Sequence, residues 1–110
     1  MKIKLDEKLI DYMSEKNLKD IVLYLKAGGG CCVSSYLDVK ARFAKEGDQE
    51  LLYMGYIIQE SEMGKIYYHP EQITFGENPK LILSQFLGMT VVQAFGMRAS
   101  EQNHARGIPF

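Results

Sequence analysis

The amino-acid sequence predicts an α+β domain, mostly antiparallel strand, with one helix at its start. Apolar residues recur at helical spacing only near the N-terminus, at Leu9, Ile10 and Met13. From Asp20 onward the period is two. It is clearest over Val33–Phe43, where Val33, Ser35, Leu37, Val39, Ala41 and Phe43 share one face and Ser34, Tyr36, Asp38, Lys40 and Arg42 the other. Turn chemistry then punctuates the chain at Gly28-Gly29-Gly30, Lys45-Glu46-Gly47-Asp48, Met63-Gly64 and Gly76-Glu77-Asn78-Pro79.

Each element has a local cause. Asp6 is a good N-cap for a helix running through Lys16, with Leu5 and Ile10 at hydrophobic-staple positions and Asn17 as its stop. Asp20–Lys26 alternates, with Ile21, Leu23 and Leu25 on one face, and so predicts a strand. Leu51–Gln59, rich in Tyr53, Met54, Tyr56, Ile57 and Ile58, predicts a third strand after the Val33–Phe43 strand. A short strand Lys65–His69 ends at Pro70, and Ile73 and Phe75 mark another, closed by Gly76–Pro79. Leu81–Leu87 fits either a strand or a strand followed by one helical turn. Thr90–Phe95 is β-branched enough for a last strand. The expected organisation is a single domain over residues 1–97 and an arm or tail over 98–110.

Composition narrows the function. The 110 residues are 46% apolar and 25% charged, with a formal net charge of -1. That apolar fraction is ordinary for a folded domain, and the near-neutral balance exerts no general pull on nucleic acid or anionic lipid. No window approaches the ~18–20 consecutive apolar residues of a membrane span, and the first seven residues turn acidic at once. The expectation is a cytoplasmic protein with no nucleic-acid and no membrane partner.

The unusual constellation is Lys26-Ala27-Gly28-Gly29-Gly30-Cys31-Cys32-Val33. Cys31 and Cys32 are the only cysteines. A disulfide between neighbours closes almost no loop, and consecutive Cα atoms ~3.8 Å apart fall short of the usual ~4.4–6.8 Å. In a reducing compartment the pair reads as free thiols with a role, or as soft side chains used for packing. Gly28, Gly29 and Gly30 let the backbone take dihedrals that aim successive N–H groups at an anion such as a thiolate, and Lys26 adds to this where it points inward. The run lacks both Gly-Lys-Ser/Thr and the Gly-x-Gly-x-x-Gly spacing, which disfavours a nucleotide site.

Ligand arithmetic bears on the metal reading. Structural zinc and iron–sulfur clusters take about four ligands, and one chain supplies two sulfurs. A symmetric dimer offers two plus two thiolates; otherwise His69, His104 or a carboxylate must join. His69, beside Pro70, reads more simply as an exposed strand end, and His104 as a solvated tail residue. Ser34 and Ser35 alternate along a strand rather than sitting on a strained turn, so a serine hydrolase is disfavoured. Tyr53, Tyr56, Tyr67 and Tyr68 lack a surrounding basic groove and read as core or dimer packing. The six methionines read as core filler.

With its short helix, strand, Gly-Cys turn and long alternating strand, the chain resembles the HesB-like proteins, the A-type iron–sulfur cluster assembly accessory proteins and their shorter relatives. Within that group it is most similar to the small Cys-Cys members, some of which are selenoproteins. The likeness spans roughly residues 1–97, with its specific part at Gly28–Cys32. It implies a β-sandwich or pseudo-barrel and a thiol in the turn at Cys31 or Cys32. The A-type carriers have two further cysteines near the C-terminus; the corresponding stretch here, Gly96-Met97-Arg98-Ala99-Ser100-Glu101, has none. Either the vicinal pair binds alone across a dimer, or the scaffold serves other thiol chemistry.

The expectation is therefore a carrier rather than a catalyst. Cys31 and Cys32 would hold iron, an iron–sulfur cluster or another thiophilic metal, and Gly28–Gly30 would shape the turn. The implied partners are a second copy of the chain and iron–sulfur assembly or client proteins. The alternatives are a thiol, persulfide or selenium relay without metal, and a homodimeric interaction module.

Overall fold

A computed structural model describes residues 3–28 and 36–100. The described elements are β1 (Lys4–Leu5), α1 (Glu7–Glu15), β2 (Ile21–Gly28), β3 (Tyr36–Phe43), a 3₁₀-helix (Asp48–Met54), β4 (Ile57–Glu60), β5 (Lys65–Tyr68), β6 (Ile73–Phe86) and β7 (Met89–Ala99). The strands form one curled sheet in the order β1-β6-β7-β3-β2-β5-β4. The sheet is mixed. Pairings β2–β3, β3–β7, β4–β5 and β6–β7 are antiparallel, whereas β1–β6 and β2–β5 are parallel. Each parallel pair is made possible by a long connection: α1 and everything through β5 lie between β1 and β6, and β3, the 3₁₀-helix and β4 lie between β2 and β5.

α1 forms where its sequence signals place it. Asp6 is the N-cap with extended backbone (φ -65°, ψ 148°), and Asn17 follows the helix at φ 58°, the left-handed stop that Asn tolerates better than most residues. Leu9 and Met13 are fully buried against the sheet, while Leu5 is buried and Ile10 packs on the rim of the core. The core is continuous from Ile3, Leu9 and Met13 through Leu23, Val39 and Leu81 to Ile66 and Tyr68. Tyr68 meets Phe75 edge to face at 4.8 Å between ring centroids, a geometry favoured by opposed ring quadrupoles.

Two segments depart from the sequence expectation. Leu51–Gln59 is not one strand: Asp48–Met54 is 3₁₀-helical and only Ile57–Glu60 is extended. Gly47 (φ 94°) and Gly55 (φ 95°) bracket the helix with left-handed backbone, and Arg42 clamps its first residue through two hydrogen bonds to Asp48, at 2.8 and 2.9 Å. Strand propensity in the tyrosines and leucines yields to these boundary conditions. Secondly, Ile73–Phe86 is one continuous strand. The Gly76–Pro79 turn signal becomes a bulge, since Phe75 pairs with Met97 while Lys80 pairs with Phe95. Gly96 (φ 74°) lies opposite, where a Cβ would sit 2.6 Å from the Asn78 carbonyl oxygen.

At the C-terminal end β7 runs beyond Phe95 to Ala99. Ser100 is buried, its N–H donating to the Gln72 carbonyl at 2.8 Å and its hydroxyl 2.9 Å from that of Thr74. Residues 98–100, assigned to the arm on sequence grounds, thus pack in the sheet. The remainder of the arm lies outside the described residues. No helix among the described residues is long and apolar enough to cross a membrane.

Candidate functional site

Gly29, Gly30, Cys31 and Cys32 lie outside the described residues, as does His104. What the structure supplies is the frame from which they are strung. β2 and β3 form an unbroken antiparallel ladder from Ile21↔Phe43 to Gly28↔Tyr36. Gly28 is therefore the last paired residue of β2, and residues 29–35 join the ends of two strands held together in the middle of the sheet. The ladder needs no turn residue before Gly28, so β2 extends two residues further than the alternation in Asp20–Lys26 indicates.

Lys26 stands opposite Asp38 in this ladder. It alternates with Leu23 and Leu25, which face the core, and so projects from the other face of the sheet. Asp38 instead contacts Lys40 at 3.3 Å. Such a half-exposed pair contributes ~1 kcal/mol or less.

His69 follows β5 directly. It is half-buried rather than a solvated strand end: its ring meets Tyr56 edge to face at 5.7 Å, and its Nδ1 accepts the Glu71 backbone N–H at 3.2 Å. That hydrogen bond occupies the Nδ1 lone pair and leaves the proton of the neutral ring on Nε2. A metal ligand would need one of these nitrogens free and deprotonated. Among the described residues no three His, Cys, Asp or Glu side chains converge on a possible metal position.

The stretch Gly96–Ala99, matched by the resemblance to a cysteine-bearing segment in the A-type carriers, is strand here. Met97, Arg98 and Ala99 pair with Phe75, Thr74 and Ile73. Of the tyrosines, Tyr67 and Tyr68 are buried on β5, whereas Tyr53 stands 92% exposed on the 3₁₀-helix.

The strongest electrostatic feature is one that sequence reading passed over. The bidentate Arg42 guanidinium, helped by the Lys45 backbone N–H, holds the Asp48 carboxyl down at about 2, and the same contact raises Arg42. The spacing Arg42…Asp48 across a turn was the available signal, but a strand–loop pair of this kind is specified by no motif. Its role is structural, since it ties the 3₁₀-helix to β3. Comparison with protein-family models, with curated proteins and with solved structures gives no match to this chain.

Proposed function

We propose that this chain is a small HesB-like carrier that binds iron, an iron–sulfur cluster or another thiophilic metal through Cys31 and Cys32. The observation that supports the reading is the register Gly28↔Tyr36. It places the two thiols on the connection between the paired ends of β2 and β3, so both ends of that connection are fixed in the sheet. A two-fold axis would bring two sulfurs from each chain into a set of about four, and the proposal includes such a homodimer sharing the metal. A sandwich or pseudo-barrel of the HesB type and delivery to client proteins belong to the same proposal.

Anaerobic reconstitution with iron and sulfide tests it. The wild-type chain should gain visible absorbance and bound iron, while Cys31→Ser and Cys32→Ser each lose both and keep the β-sheet circular dichroism. Colourless wild-type protein with no retained metal refutes the carrier reading. In that case a low-pKa thiol in alkylation kinetics would point to the metal-free relay instead.

A further inference from the structure

We infer that the face of the sheet turned away from the core carries a second binding site, independent of the thiols, for a small planar aromatic anion such as an aryl carboxylate. β2, β3 and β7 each alternate between the core and this face. Val39, Ala41, Val92 and Ala94 point inward or pack on the core rim, which leaves Tyr24, Lys26, Asp38, Lys40, Gln93 and Phe95 on the other side. These outward residues line a groove of ≈ 470 Å³, within the ~300–1,000 Å³ of small-molecule sites.

Shape and charge select the occupant. The floor is β3, lined by Asp38 and Lys40; the walls are Tyr24 on β2 and Phe95 on β7. β2 and β7 are two strand spacings apart, about 10 Å, which matches a fused two-ring body lying across β3. Phe95 is 44% exposed, its ring free to meet a ligand edge while the Lys80 ammonium lies 6.0 Å from its centroid. Asp38 is engaged by Lys40. Neither Lys26 in the groove nor Lys80 beside the Phe95 wall has a carboxylate partner among the described residues, so the groove is net positive and suits a negatively charged ligand. Further along the same face Val22 and Tyr67 are buried, so the face is covered there.

Amide NMR titration of the full chain with 2-naphthoate, alongside its uncharged methyl ester, tests the assignment. Shifts are expected at residues 24–26, 38–41 and 91–95, with the acid binding more tightly than the ester. Lys26→Met, an exposed position, should weaken the acid about fivefold and leave the ester unchanged. Phe95→Ala should weaken both alike. Cys31→Ser/Cys32→Ser should bind the acid as the wild type does, which separates this site from the metal proposal. Equal affinity for acid and ester, no effect of Lys26→Met, or shifts centred on Leu52–Ile57 would each overturn it.

Discussion

At Gly55 the backbone takes φ 95°, and a Cβ there would lie 2.7 Å from Nε2 of His69. Gly55→Ala therefore meets both left-handed strain and a clash, and should cost about 1–3 kcal/mol in urea denaturation. Pairing it with His69→Ala should recover the steric part and leave the dihedral part. Asp48 governs acid stability at the same scale. Its pKa falls from 3.8 to about 2 through the Arg42 hydrogen bonds. A depressed carboxyl stabilises the fold above its unfolded pKa, and that contribution is lost as pH falls through the folded value. Stability should thus decline between about pH 4 and about pH 2, and Asp48→Asn should flatten this decline while removing about 1 kcal/mol at neutral pH, a figure discounted for the 34% exposure of Arg42. Asp6 and Asn17 were legible because caps depend on their own chain neighbours. The partners of His69 and Asp48 were not, because each is chosen by a turn geometry that no residue type dictates.

Among the elements, β6 and β7 are joined by a two-residue turn at Leu87 (φ 51°) and Gly88 (φ 77°), closed by the Phe86↔Met89 pair. Positive φ at both positions is the primed turn that matches strand twist, and Gly88 suits it. Leu87 does not: its Cβ crowds the carbonyl, and its side chain is 86% exposed without compensating burial. Leu87→Asn should stabilise by about 0.5–1 kcal/mol and raise Tm by several degrees; a fall in Tm would show that Leu87 is held by contacts the isolated chain does make. Sequence alternation found β2, β3, β5 and β7 but misjudged ends and continuity. It placed one strand across Leu51–Gln59, whose first four residues are 3₁₀-helical, because propensity counts residue types, whereas the two left-handed glycines and the Arg42 clamp set the backbone path. It broke β6 at Gly76–Pro79 because a bulge and a turn use the same residues, and only the partner strand distinguishes them.

For the whole molecule, the core joins distant parts of the chain. Leu81 of β6 is fully buried among Leu5, Leu9 and Met13, and the Asp6 N–H donates to its carbonyl at 2.9 Å. Leu81→Ala should cost about 2–5 kcal/mol in chemical denaturation, and by loosening the β1–β6 seat it should expose α1 to early amide exchange. The candidate chemistry divides in the same way. Vicinal cysteines behind three glycines are visible in the linear chain, and their frame is now seen as the ends of β2 and β3. The groove beneath Phe95 was invisible, since Tyr24, Lys26 and Phe95 meet only when β7 is laid beside β3.

The sequence by itself determined α1 and its ends and the alternating faces of β2 and β3, because each follows from interactions within a few residues. The tertiary structure alone decided the mixed strand order, the 3₁₀-helix, the unbroken β6 and the groove. Those depend on which strands become neighbours, a choice made by burying Leu9, Met13, Leu23 and Leu81 together rather than by any local preference.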